Sequence, residues 1–399
     1  WSNSLFSNDT TTLHSSVLLK NYKNIIPLKK LDTLKIATLN LSSNNLNSFE
    51  KSCDNYTNID HFHFNTFSSK RMIRAMEKEL KEFNLIIVNT DTIHFEIANL
   101  INEISSRNKI ILNYVGGQKL FFENIIINSC QAILYNSNSK RKNLNHAGQV
   151  LFGGLSCENY LEDNLCDKYR SGDGLTTNKT RLSYINPNEL DINDSILYKI
   201  DSIVNNGINK HAMPGCQILA AKDGNVFFNK SYGNHTYDSI SKKVENSDIY
   251  DLASITKIAS SALILMQLES QEKFSVDSTL GHYLPEILDS TDYKNLVLKD
   301  ILTHQAGLAS WIPFYVKTLN DGMPSYELYS KLPSSIHQSL VAKNLYMLSS
   351  YRDTIFERIL STDVNKNKKY KYSDVGYYFI NEIIKNITFN SQDLIAENI

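Results

Sequence analysis

Four short, uninterrupted apolar runs mark the first half of the chain: residues 34–41 (LKIATLNL), 85–89 (LIIVN), 109–115 (KIILNYV) and 131–135 (QAILY). Runs of this length without polar alternation predict strands buried on both faces. Between them, residues 70–83 and 95–104 place apolar side chains at helical spacing. Strand–helix alternation of this kind predicts an α/β fold, a mostly parallel sheet covered by helices on both sides.

The pattern changes after residue 169. Residues 170–194 (RSGDGLTTNKTRLSYINPNELDIND) are polar and carry Gly, Pro and Asn, the composition of a linker. Helical spacing resumes at 196–208, and two strand-like segments, 217–222 and 225–231, are joined by Asp223-Gly224, a hairpin signal. A nearly charge-free run, residues 258–268 (IASSALILMQL), then predicts a buried helix too short to cross a membrane. The expected organisation is one domain over 1–169, a linker over 170–194 and a second domain over 195–399.

Composition narrows the function classes. With 41 basic and 42 acidic residues the net charge is −1, which argues against nucleic acid or an anionic surface as the main partner. No run reaches the roughly eighteen apolar residues of a transmembrane segment. The chain opens on Trp1 with no charged and apolar leader behind it, so any signal peptide is expected to lie outside this sequence. Cys53, Cys130, Cys157, Cys166 and Cys216 are scattered and odd in number; they suggest neither a disulfide framework nor a metal site, and Cys157 and Cys166 are read as unpaired. Gly116-Gly117 and Gly153-Gly154 read as plain turns, without a phosphate loop, so no cofactor is expected. The N-x-S/T triplets at Asn8, Asn55, Asn178, Asn234 and Asn386 follow from the abundance of Asn.

The chemistry concentrates at Ser254-Ile-Thr-Lys257, which opens the apolar run with Ser254 in the first helical turn. Residues three apart share a helical face, so the Ser254 hydroxyl and the Lys257 amine are expected to point into one cavity. Serine becomes a useful nucleophile only when a neighbouring base takes its proton. Lysine can be that base if burial lowers its pKa well below about 10.4. Taken alone, the tetrad reads first as an N-cap serine beside a solvated lysine, and its surroundings change that reading.

Four pieces in order resemble the serine β-lactamase and penicillin-binding-protein superfamily, its class C and esterase branch in particular. They are Met213-Pro214-Gly215-Cys216, the stretch from Asp251 to Lys257 (DLASITK), residues 301–308 (ILTHQAGL), and Tyr372-Ser373-Asp374 followed by Val375-Gly376-Tyr377. The resemblance implies an acyl-Ser254 intermediate, Lys257 as proton partner, Tyr372 as base or relay, and the Ser254 N–H as half of an oxyanion hole. Asp374 stands where the family has a substrate-binding asparagine, and an ionised carboxylate cannot donate the hydrogen bonds of an amide. His304 reads as a structural hydrogen-bonding residue. The family's third motif, K-T-G or H-x-G, lies well beyond Tyr372. Its absence leads us to expect an incomplete α+β domain, a hairpin with an unpaired edge and a chain cut short at both ends.

The first half resembles another family. Ser16-Val17-Leu18-Leu19-Lys20-Asn21 with Ile26-Pro27-Leu28, and the stretch from Ala147 to Gly154 (AGQVLFGG), are similar to the C-terminal αβα sandwich of glycoside hydrolase family 3. Residues 157–165 (CENYLEDNL) depart from that pattern. No glycosidic residue can be named, because that family's catalytic barrel is not in the sequence. A family 3 glycosidase fused to a β-lactamase-like module resembles an architecture of Bacteroidetes-type bacteria, and implies a cell-wall glycan or peptide substrate and a periplasmic or envelope location. Three readings remain open: a serine acyl-transfer module, a parent β-N-acetylhexosaminidase with a degenerate serine module, and a non-catalytic protein that binds wall peptides.

Overall fold

The computed structural model describes residues 16–41, 46–63, 76, 78–92, 95–116 and 128–398. They form two compact units, Trp1–Ile249 and Tyr250–Ile399. Of the expected helix 70–83, residues 76 and 78–80 are helical and 70–75 and 77 lie outside the described residues, as do Asn8 and Gly117.

The first unit is built on a six-stranded sheet. Its strands are β1 (Ser16–Asn21), β2 (Ile36–Asn40), β3 (Ile59–His63), β4 (Leu85–Thr90), β5 (Lys109–Val115) and β6 (Ala132–Asn136), in the order β1-β6-β5-β4-β2-β3. All neighbours are parallel except β1, which runs antiparallel to β6. The apolar runs are continuous because both faces are covered. Leu85 and Ile87 of β4 face α1 (Asn47–Asp54) and α3 (Arg141–Phe152), while Ile86 and Val88 face α2 (Phe95–Ser105). The expected αβα sandwich is therefore present. Two strands escaped the pattern: β1 is an edge, and β3 (IDHFH) is a half-exposed edge with polar side chains.

Residues 170–194 are tied to this sheet unit. Leu175 N–H donates to Leu18 O (2.8 Å), Thr180 and Arg181 N–H donate to Gly153 O (2.8 and 2.9 Å), and Tyr184 N–H donates to the Gln149 side chain (2.7 Å). Helix α4 (Asp194–Asn209) starts where the Asn193 side chain accepts from Ser195 N–H. The hairpin of β8 (Gly215–Lys222) and β9 (Asn225–Gly233) follows the Asp223-Gly224 signal. Both turn residues have positive φ (52° and 74°), which glycine supplies without strain. The hairpin keeps the open edge expected of it: a short β7 (Ser183–Tyr184) pairs with β9, and the edge left open lies on β8. The described cysteines are all unpaired.

The second unit is mainly helical. Helix α5 (Leu263–Ser270) continues a π-helical stretch, Lys257–Ala262, and packs with α6 (Tyr351–Leu360) and α7 (Val375–Thr388). Val375, Phe379, Ile380, Ile383 and Ile384 of α7 are fully buried at helical spacing. The helix Leu298–Leu302 approaches α7 so closely that a Cβ on Gly376 would sit 2.5 Å from Ile301 Cγ2. This contact fixes the start of α7 beside the loop bearing His304.

One expectation fails here. The run 258–268 is not buried all round: Ile264, Leu265 and Leu268 face the core, while Ile258 is 67% and Met266 66% exposed. The π-helical stretch turns the register, and only one face reaches the core. Among the described residues no helix is long and apolar enough to cross a membrane.

Candidate active site

Ser254 is placed by a strained turn. Ala253 has φ 44°, uncommon for a residue with a Cβ, and its N–H is held by Asp251 Oδ1 at 2.7 Å. The helical backbone begins at Ile255, and Thr256 and Lys257 N–H donate to Ala253 and Ser254 carbonyls. One turn on, Lys257 Nζ comes within 3.0 Å of Ser254 Oγ. The three-residue spacing thus brings the pair together as expected. The expected cavity is not closed, however: Ser254 lies on an exposed surface and Tyr372 is 40% exposed.

The residues around position 372 arrive from the other side of the unit. Lys257 Nζ donates to Asp374 Oδ1 at 2.6 Å, at the head of α7. Tyr372 stands near enough to Ser254 and Lys257 for both to act on its phenol. The Lys257 ammonium also lies 5.3 Å from the Tyr372 ring centroid and 5.2 Å from that of Tyr377. All four expected residues therefore converge, although 117 positions separate Lys257 from Asp374.

Electrostatics does not meet the condition set for a lysine base. Burial works against the Lys257 charge, but the hydrogen bond to Asp374 and the neighbouring Tyr372 outweigh it, and the amine is held above its ordinary range. Lys257 is thus an ammonium rather than a neutral base. Tyr372 moves the other way: Ser254 and then Lys257 lower its pKa, against the opposing charge of Asp374. A tyrosine beside a fixed cation can carry a partial negative charge that a lone tyrosine cannot.

Asp374 N–H donates to Ser310 O at 2.8 Å, so the carboxylate sits at the N-terminus of α7, where negative charge is favoured. His304, at φ 59°, packs its ring 4.3 Å from that of Tyr372. Tyr377 joins the site without a role expected from the sequence. Its signal was its place one helical turn after Asp374. Among the described residues, no cluster of three or more His, Cys, Asp or Glu could hold a metal.

Comparison with known proteins fits this geometry. The family model described as Beta-lactamase matches residues 200–399. Protein flp of Staphylococcus aureus (strain NCTC 8325 / PS 47) is 25% identical over 199 residues, 48% of this chain and 34% of that protein. The N-acetylmuramyl-L-alanine amidase of Bacillus subtilis (strain 168) is 26% identical over 222 residues, 50% of this chain and 43% of that one. The chain spans less than half the length of either relative. Among solved structures, a GH3 exo-beta-xylosidase in complex with a xylobiose aziridine probe matches 44% of this chain and 32% of its own at 14% identity, with a TM-score of 0.34.

Proposed function

Because the chain belongs to the Beta-lactamase family over residues 200–399, we propose that its second half performs serine acyl transfer on a cell-wall peptide, ester or β-lactam. The observation that carries this reading is the convergence of Ser254, Lys257 and Tyr372, with Lys257 Nζ 3.0 Å from Ser254 Oγ and 5.3 Å from the Tyr372 ring centroid. Ser254 Oγ attacks the substrate carbonyl and gives its proton to Tyr372. The Lys257 ammonium stabilises the phenolate that prepares for this step. The Ser254 N–H faces the developing oxyanion, a contribution of roughly 10²–10³ in rate for donors of this kind. As the tetrahedral carbon collapses, the bond to the leaving group breaks and Tyr372 returns the proton to it. Water then attacks the acyl-serine ester, Tyr372 takes its proton, and Ser254 is released with its own proton restored.

The amidase relative supports a wall peptide as substrate and the cell envelope as location. The domain division 1–169, 170–194 and 195–399 belongs to the same proposal, with the sheet unit as a family 3-type module. The test is labelling of the protein by a fluorophosphonate or a fluorescent penicillin. Ser254→Ala is expected to abolish it, and labelling that persists in Ser254→Ala would overturn the assignment.

A second reading draws on the pairing of Asp374 with Lys257 at 2.6 Å, which occupies the carboxylate that stands in the family's amide position. In it the serine module is degenerate, kept for packing or for wall-peptide binding, and the parent protein is a β-N-acetylhexosaminidase. Turnover of an aryl N-acetylglucosaminide, unchanged by Ser254→Ala and Tyr372→Phe, would favour it. Saturable muropeptide binding without acylation would favour the binding role.

A further inference from the structure

We infer that His304 is a positioning residue for Tyr372, and that its protonation switches the serine site off at acid pH. The inference rests on the acyl-transfer reading and names a control within it. His304 grips the segment that carries Tyr372 at three points. Its backbone carbonyl accepts from Lys371 N–H at 2.9 Å, its Nδ1 accepts from Ser373 N–H at 3.2 Å, and its ring lies 4.3 Å from the Tyr372 ring at 35°. The residues on either side of Tyr372 are thus bound to one histidine, and the phenol between them is aimed at Ser254 and Lys257.

The grip depends on the protonation state of His304. Nδ1 acts as an acceptor, which places the proton of the neutral ring on Nε2. A second proton on Nδ1 would face the Ser373 N–H, donor against donor, and break that contact. The groups around the ring are Tyr370 and Tyr372 from the segment itself, Tyr377 from α7, Lys257 from the nucleophile helix and Asp374 from the head of α7. Burial and then the Lys257 charge hold the imidazolium down, with Asp374 opposing them. The ring therefore stays neutral at neutral pH and protonates below its ordinary value of about 6.5.

The test is the rate of fluorophosphonate labelling of the full chain against pH. For the native protein the logarithm of the rate is expected to rise with a slope of about one where Tyr372 ionises, and to steepen to about two where His304 also protonates, below about pH 6.5. His304→Asn keeps an acceptor near the Nδ1 position and tolerates positive φ. It should label within about threefold of the native rate at pH 7.5 and lose the steep acid limb. His304→Gln carries its acceptor one bond further out and should lose roughly 10²-fold through misplacement of Tyr372. Thermal unfolding checks that each variant folds, and if His304→Gln does not, the His304→Asn profile decides. Native labelling that His304→Gln leaves unchanged, or a steep limb retained in His304→Asn, would overturn this inference alone. No labelling of the native protein at any pH would overturn the acyl-transfer reading, and this inference with it.

Discussion

Tyr56 and Tyr372 show how differently the two units use the same side chain. In the sheet unit, Tyr56 stacks on Phe152 with centroids 5.2 Å apart and donates to Leu182 O at 3.0 Å. Burial, with Tyr184 and Cys53 nearby, pushes its phenol well up, so it serves as a neutral donor. In the helical unit, Tyr372 is open to solvent beside Ser254 and Lys257, which draw its pKa down. Burial makes a tyrosine inert, and a fixed cation beside an exposed one makes it reactive.

The same contrast holds for polar networks. Asn40, Asn89, Asn113 and Asn136 form a ladder across β2, β4, β5 and β6, each fully or nearly fully buried. Asn136 donates to Asn113 at 2.7 Å, Asn113 to Asn89 at 2.8 Å, Asn89 to Asn40, and Asn40 to Glu50. Every member satisfies the next, so the ladder is a structural device. The Ser254 group instead leaves its nucleophile at an exposed surface, where a substrate can complete it.

Three substitutions sharpen or break this comparison. The largest effect is expected from Lys257→Met, which removes the cation from the exposed group. Labelling of Ser254 should fall by roughly 10²–10⁴-fold, measured at saturating pH, and a smaller loss would mean that Tyr372 needs no fixed cation. Next, Asn113→Ala should cost about 1–3 kcal/mol for each buried amide left without a partner. Urea unfolding of the sheet unit reads this directly, and a cost near zero would mean that the ladder is not coupled.

The smallest effect is expected from Asp374→Asn. The Asp374 charge opposes ionisation of Tyr372 and supports the Lys257 ammonium. Its removal lets Tyr372 ionise at lower pH, so the acid limb of labelling moves down and the rate near neutrality rises several-fold. Loss of the Lys257 cation also begins at lower pH, so the alkaline fall should move the same way. A limb that moves up instead would mean that Asp374 acts through contacts rather than charge.

Much of this was legible in the chain. Runs such as 85–89 and 109–115 specify strands because two-sided burial tolerates no polar alternation, and Asp223-Gly224 specifies its hairpin because few residues accept positive φ. The S-x-x-K spacing fixes the Ser254–Lys257 contact, since helical geometry is local. Edge strand β3 was not legible, because a half-exposed polar segment carries no such signature. The half exposure of 258–268 depends on which elements cover it. Above all, the charge state of Lys257 was decided by tertiary structure. The sequence supplied a lysine at the right spacing, but whether it is a neutral base or an ammonium turns on Asp374 and Tyr372, more than a hundred positions away. Electrostatic energies depend on distance in space, and those distances follow from the packing of α5, α7 and the helix Leu298–Leu302 in one core.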